Sequence, residues 1–154
     1  MARHDWLLLI HVGGAFLLLA GATLAVVLNQ AALQRSRPTE IALLLGLIRV
    51  AVVLIATGML VTLVFGFWLL RDTAYSAADG WVAAALALWV AALVLGAVGG
   101  RRDRKTRELA ERLGDEPSAE LDARLRDPIS LLLSYGSGAS VVAILVLMIW
   151  KPGS

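Results

Sequence analysis

Residues 41–70 read IALLLGLIRVAVVLIATGMLVTLVFGFWLL and contain one charged side chain, that of Arg49. A helix needs about 20 mainly apolar residues to cross a bilayer, and this segment exceeds that requirement. Three other segments are comparably apolar: residues 5–28, 80–98 and 129–150. The sequence therefore predicts an all-α, polytopic integral membrane protein, a single membrane domain over residues 1–154 built as a four-transmembrane-helix bundle.

Composition supports the same class of protein. The chain has 154 residues, of which 59% are hydrophobic, and a mean hydropathy of +0.79. Charged residues make up 17% and are concentrated in a few stretches, whereas a soluble helix carries charges along one face. The absence of cysteine excludes disulfides and thiolate metal sites. We expect the bilayer as the main partner and no nucleic acid, because no basic module stands apart from the spans.

The connections between the spans predict the orientation. Of the 14 Lys and Arg residues, all except Arg3, Arg49, Arg71 and Lys151 fall within residues 29–40 and 101–127. Four spans place these two connections on one side of the membrane, and short loops rich in Lys and Arg stay in the cytoplasm. We therefore expect both connections to be cytoplasmic and both termini to lie outside. The first span continues to Leu28, beyond the small residues 20–22 that resemble a signal-peptide cleavage site, so we expect it to be retained.

Residues 101–127, RRDRKTRELAERLGDEPSAELDARLRD, are predicted to form a cytoplasmic helical hairpin. Glu108 and Arg112 are four residues apart, as are Asp122 and Arg126, and such pairs support helices. Gly114 can end the first helix and Ser118 can cap the second. Two interpretations remain open: a solvated extension of spans three and four, or a docking site for anionic lipid headgroups or a partner subunit.

Ionisable residues within spans are costly and therefore candidates for function, and His11 and Arg49 are two such residues. His11 can be a metal or haem ligand, or can form an interhelical hydrogen bond. Arg49 can extend towards the headgroups or pair with a buried anion, and an acidic ligand lying along the bundle could contact both side chains. His4 lies seven residues before His11, about 10 Å along a helix, so the two cannot bind one iron together.

Small and polar residues interrupt the other apolar helices. Tyr135 lies in the stretch SYGSGAS at residues 134–140, which predicts either tight helix packing or contact with a ligand. Close helix packing also explains five glycines in the first two spans: Gly13, Gly14, Gly21, Gly58 and Gly66. The helix faces that carry these glycines are compatible with a homo-oligomer or with a partner membrane subunit. Four tryptophans near the predicted outer ends indicate an interfacial belt: Trp6, Trp68, Trp81 and Trp150.

The segments HDWLLLIHVGGAFLLLAG at 4–21 and MIWKPG at 148–153 resemble a bacterial family of small four-span membrane proteins of unknown function. That family is similar to the membrane domain of CopD-type copper-resistance proteins and to HemJ-type protoporphyrinogen oxidases. The resemblance implies a location in the bacterial inner (plasma) membrane. It also implies a haem-associated role for His11 and a functional role for Lys151. The loop at 101–127 is longer and more charged than the resemblance leads us to expect.

The leading hypothesis is a membrane protein that binds haem b or a porphyrin within the bundle. His11 would be the metal ligand, and Arg49, Tyr135 and Lys151 would contact the cofactor. One alternative is a noncatalytic accessory or assembly subunit that docks a partner through its cytoplasmic loop, and another is a small transporter. Methionines are scattered at positions 1, 59 and 148, which does not favour copper transport. The sequence assigns no reaction.

Overall fold

The computed structural model describes residues 3–73, 79–116 and 118–152, which form five α-helices. The helices are α1 (Arg3–Leu33), α2 (Pro38–Arg71), α3 (Gly80–Leu113), α4 (Ala119–Leu125) and α5 (Pro128–Trp150). Four segments are long and apolar enough to cross a membrane: α1, α2, α3 and the segment Ala119–Trp150 that contains α5. The predicted fold class is confirmed. Part of the predicted connection between spans two and three, residues 74–78, lies outside the described residues, as does Pro117 within the predicted hairpin.

The apolar faces of these helices are largely uncovered by protein. No more than 22% of the most apolar window of any spanning segment is buried inside the bundle. Large side chains such as Phe16, Val53 and Ile149 are exposed by 63% or more. Apolar patches of this extent are unfavourable in water but match the hydrocarbon of a bilayer.

The helices extend beyond the apolar segments that the sequence marks. α3 has 34 residues, about 51 Å at 1.5 Å per residue, whereas the hydrocarbon core is only about 30 Å thick. Its apolar part ends near residue 100, and residues 101–113 form a polar extension. Ion pairs join Arg104 to Glu108 (3.7 Å) and Arg107 to Glu111 (3.2 Å) along this extension. Glu108 has an arginine four residues away on each side and pairs with the earlier one, and the predicted pair with Arg112 is not among the ion pairs of the described residues.

The end of α3 and the start of α4 are formed by the two residues that the sequence predicts for these roles. Gly114 adopts a positive φ of 59° and ends α3. The Ser118 hydroxyl accepts a hydrogen bond from the Leu121 N–H (3.4 Å) and caps α4. The ion pair on α4 joins Arg124 to Glu120 at 2.8 Å. The predicted pair of Asp122 with Arg126 is not among the ion pairs of the described residues, because the helix ends at Leu125 and Arg126 is its C-cap.

Glycines allow α1 and α2 to pack along most of their length. A Cβ on Gly58 would lie 2.5 Å from the backbone nitrogen of Leu18, and one on Gly21 would lie 2.8 Å from the carbonyl oxygen of Ala51. Gly14 faces Thr62 equally closely. The close-packing interpretation is therefore confirmed for these three glycines. It is wrong for Gly13, around which a Cβ would meet nothing within 4 Å.

The helices meet in two apolar clusters. The first lies in the middle of the bundle and contains one residue from each of α1, α2, α3 and α5: Leu18, Met59, Ala92 and Val141. The second joins the end of α1, the start of α2, the extension of α3 and α4: Ala32, Ile41, Leu45, Ile48, Ala110, Leu121 and Leu125. We call the part of the molecule formed by residues 29–41 and 101–127 the basic end. The predicted extension of span three is present, and Ala110, Leu121 and Leu125 bury one side of it and of α4 against the end of α1 and the start of α2.

Polar contacts also hold the basic end together. The Thr39 hydroxyl donates to Asp115 Oδ1 (2.7 Å), joining α2 to the end of α3. Arg102 Nη1 on α3 bonds to Asp127 Oδ2, and the same carboxylate accepts a hydrogen bond from the Ser130 N–H (3.1 Å). Asp127 therefore caps α5 while it ties this helix to α3.

Candidate functional site

His11 lies on α1 at its contact with α2. Its Nδ1 is 2.9 Å from the carbonyl oxygen of Thr62. Because a carbonyl oxygen can only accept, Nδ1 carries the proton, and the neutral imidazole then has its lone pair on Nε2. This hydrogen bond fixes both the tautomer and the ring orientation, which is how proteins commonly prepare an imidazole to bind a metal.

Gly66 provides the space for this ring. A Cβ at position 66 would lie 3.0 Å from Cε1 and 3.2 Å from Nδ1 of His11. The close-packing interpretation is therefore confirmed for Gly66, and the group packed against this glycine is the His11 ring of α1. Gly14, one turn further along α1, keeps the two backbones close beside it.

A cleft opens beside His11 between the halves of the helices that lie opposite the basic end. α1 packs mainly on α2, and α3 packs mainly on α5, while α1 and α5 make few contacts. The space between these two pairs has a volume of about 590 Å³. Its walls are mainly apolar and include Leu8, Phe67, Leu86 and Ile144. The central cluster around Leu18 and Val141 closes its floor.

Three basic residues line this cleft: His4, His11 and Lys151. Lys151 follows the last turn of α5 in the left-handed conformation (φ 40°), and its N–H donates to the Leu147 carbonyl (2.9 Å). Its Nζ lies 5.8 Å from the centre of the Trp81 ring, a distance at which a cation is attracted to an aromatic face. The cleft therefore has a histidine in its wall and a cation at its mouth.

Two tryptophans and a threonine complete the lining of the cleft. Trp81 is only 7% exposed and lines the cleft, whereas Trp6, Trp68 and Trp150 are exposed by 45% or more. Thr62 and Trp89 also line the cleft. The buried Thr62 Oγ1 and Trp89 Nε1 have no hydrogen-bond partner in the part of the chain that the structure describes.

The structure places Arg49 and Tyr135 away from this cleft. Arg49 is exposed on the lipid-facing side of α2, next to the buried Ile48. It lies thirteen residues before Thr62, about 20 Å along the helix. Tyr135 is 51% exposed, and its hydroxyl accepts a hydrogen bond from Gln30 Nε2 near the basic end. Neither side chain is brought together with His11.

The small residues around Tyr135 serve helix packing. The Ser137 hydroxyl donates to the Ala92 carbonyl on α3 (3.2 Å), and the Ser140 hydroxyl donates to the Gly136 carbonyl within α5 (2.8 Å). A Cβ on Gly136 would touch Leu95 at 3.4 Å. Of the two interpretations that the sequence left open for this stretch, the structure therefore favours close packing of α5 on α3.

Comparison with known proteins agrees with this architecture. Residues 5–152 match the model of a family described as predicted integral membrane proteins, DUF2269. The chain belongs to this family. No curated protein and no solved structure matches the chain.

For this family member, sequence reasoning found two of the cleft residues and missed others. His11 and Lys151 were predicted, and both line the cleft. Thr62 and Trp89 were not proposed as site residues, although each had a signal: a hydroxyl deep in an apolar span, and an indole away from the predicted interfaces. Among the described residues, no group of three His, Cys, Asp or Glu side chains could hold a bare metal ion.

Proposed function

We propose that this membrane protein binds haem b, or a related porphyrin, in the cleft lined by His11 and Lys151. The observation that carries the proposal is the hydrogen bond from His11 Nδ1 to the Thr62 carbonyl, which leaves Nε2 available as an axial ligand. A porphyrin supplies four nitrogen ligands of its own, so one protein ligand suffices where a bare metal ion would need several. Bound haem iron would supply one-electron redox chemistry.

The cleft suits such a ligand in size and polarity. Its volume of about 590 Å³ falls within the range of roughly 300 to 1,000 Å³ that is typical of small-molecule sites. Apolar walls match the porphyrin ring, and the ammonium of Lys151 at the mouth would attract its carboxylates. His4 lies about 10 Å from His11 along α1, nearer the mouth, so it would face the polar edge and would leave the iron to His11. Arg49 and Tyr135 have no part in the proposal.

The location follows from charge and resemblance. We infer that the protein resides in a bacterial inner membrane, with the basic end in the cytoplasm and both termini outside. The excess of Lys and Arg in residues 29–40 and 101–127 supports this orientation. The cleft would then open towards the outer leaflet. We assign no reaction, and the accessory-subunit hypothesis becomes the preferred one if the experiment below fails.

The test is an absorption spectrum of the detergent-purified protein, oxidised and reduced, after addition of haemin and removal of the unbound haemin by gel filtration. We expect the wild type to show a Soret band that shifts on reduction, and His11→Ala to lose it because the axial nitrogen is gone. His4→Ala is the matched control and should keep the band. Gly66→Ala should weaken binding, because the new methyl would displace the His11 ring.

Two outcomes would contradict the proposal. A wild type that keeps no Soret band after the unbound haemin has been removed does not bind haem at this site. Equal loss of the band in His4→Ala and His11→Ala would mean that binding depends on general basicity at the mouth and not on an axial ligand.

A further inference from the structure

A second cavity lies at the basic end, remote from the cleft. It has a volume of about 710 Å³ and lies between the α1–α2 connection and α4. Its donors are two arginines, two amides and two hydroxyls: Arg35, Arg126, Gln30, Gln34, Ser36 and Ser118. Leu33 and Leu121 give it an apolar side that continues into the cluster at the basic end.

The charges in this cavity favour an anion. Arg35 stands on one wall and Arg126 on another, against one acid, Asp122. Arg35 also pairs with Glu40 at 3.7 Å, but both side chains are more than two-fifths exposed, and such an ion pair contributes little. The guanidinium has five N–H donors and can bind a phosphate without losing this contact.

The depth of the cavity corresponds to lipid headgroups. Trp6, exposed near the start of α1, is typical of residues at one membrane interface. Leu33 lies 27 residues later on the same helix, about 40 Å away. A bilayer with its headgroups is about 40 to 45 Å thick, so Leu33 lies in the opposite headgroup layer. Basic pockets at this depth are known to bind anionic headgroups.

We propose that this cavity binds the phosphate of an anionic phospholipid headgroup, one lipid per chain. Arg35 and Arg126 hold the phosphate, the amides and hydroxyls contact its ester and glycerol oxygens, and Leu33 lies beside the start of an acyl chain. The site thereby joins the α1–α2 connection to α4 through a lipid. It does not depend on the haem proposal, because it shares no residue with the cleft.

Native mass spectrometry of the full chain in detergent, titrated with phosphatidylglycerol or phosphatidylcholine, tests this site. We expect one tightly bound phosphatidylglycerol and a weaker affinity for phosphatidylcholine. Arg35→Gln/Arg126→Gln should bind phosphatidylglycerol roughly 20- to 30-fold more weakly, since each arginine near an anionic headgroup is worth about a factor of five. The control Arg101→Gln/Lys105→Gln removes the same charge from the α3 extension outside the cavity and should change affinity by less than about threefold.

Three results would overturn the proposal. Equal weakening in the two double variants would indicate a diffuse attraction and no site. Equal affinity of the wild type for both lipids would exclude recognition of anionic headgroups. Displacement of phosphatidylglycerol by inorganic phosphate at the same concentration would identify free phosphate as the ligand. Arg126→Gln alone, whose side chain is exposed, provides a folded variant if the double variant is unstable.

Discussion

The cleft end and the basic end share α1, α2 and α3, but they close in opposite ways. At the cleft end α1 and α5 stay apart and leave about 590 Å³ between apolar walls. At the basic end Ala32, Ile41 and Ala110 are at most 1% exposed. The difference follows from the solvent. Lipid is as apolar as leucine and does not drive helices together, whereas water around the basic end does.

This contrast separates two kinds of site. A cleft that opens to hydrocarbon can take an apolar ligand without being reshaped, and its few polar groups, such as the His11 imidazole, can orient that ligand. The basic end is closed by its own core and by contacts such as Arg102–Asp127 and Thr39–Asp115, so its cavity presents charged groups to headgroups. Substitutions at one end should therefore affect that end alone, except along the α1–α2 contact that both ends share.

The largest expected effect comes from that shared contact. Gly58→Val would place a branched side chain against the backbone of Leu18, from which even a Cβ would lie only 2.5 Å. Backbone cannot move aside as a flexible side chain can, so we expect a loss of about 3 kcal/mol or more in stability. The loss of stability is measured by thermal unfolding in detergent, with size-exclusion chromatography to monitor the folded fraction. Haem binding should fail as well, because the contact between His11 and Thr62 lies about one turn away.

Gly13→Val is the matched control for this variant. It adds the same side chain to a glycine around which a Cβ would meet nothing within 4 Å. Its effect should stay within about 0.5 kcal/mol, as for surface substitutions in general. If Gly13→Val and Gly58→Val destabilise the protein equally, close approach of α1 and α2 at Gly58 is not what holds the bundle.

The sequence predicts which segments span the membrane far better than it predicts which way each residue faces around a helix. Hydropathy identified all four spans, and their number placed both basic connections at the same end. The sequence does not reveal that Gly14 faces α2 while Gly13 faces outwards, or that Arg49 lies outside the cleft. In a soluble helix the polar face reveals such directions, but here lipid and protein interior are equally apolar, so the pattern contains little contrast.

In the polar segments the sequence predicts where helices end and begin better than it predicts which residues contact each other. Gly114 and Ser118 carry local signals, and each was predicted in its role. The packing of α4 on Ile41 depends on residues about eighty positions apart, and no local pattern contains that information. For the same reason the cavity between Arg35 and Arg126 was not foreseen as a site, although lipid binding by residues 101–127 was one of the alternatives.

The second-largest effect should come from removing the charge of Asp103 at the basic end, which should stabilise the protein. Burial raises the pKa of Asp103, on the polar extension of α3, to about 6. Since the unfolded carboxyl has a pKa near 3.9, folding disfavours its ionised form, and stability falls as the pH rises from about 4 to about 6. Asp103→Asn should therefore stabilise the protein at pH 7, by about 1 to 2 kcal/mol because the side chain keeps some contact with solvent.

Thermal unfolding of wild type and Asp103→Asn between pH 4 and pH 7.5 checks this prediction. The advantage of the variant should be largest above about pH 6 and should become small near pH 4, where the wild-type carboxyl is protonated in the folded state and about half protonated in the unfolded state. Glu116→Gln, an exposed acid at the same end, is the control and should show no such gain. An advantage that does not change with pH would mean that ionisation of Asp103 is not the cause.

The smallest effect, of opposite sign, is expected at Asp127. Hydrogen bonds from the Ser130 hydroxyl and N–H, together with Arg102, hold the pKa of this carboxyl below its usual value. Folding then favours the ionised form, so the stability that Asp127 contributes is present above about pH 4 and is lost as the pH falls through the lowered pKa.

Asp127→Asn should lower the melting temperature by a few degrees at pH 7, because the cap of α5 and its link to α3 are weakened. Below pH 4 it should approach the wild type. If Asp127→Asn instead matches Glu116→Gln at pH 7, the contact with Arg102 does not fasten α5 to α3, and the apolar cluster alone closes the basic end.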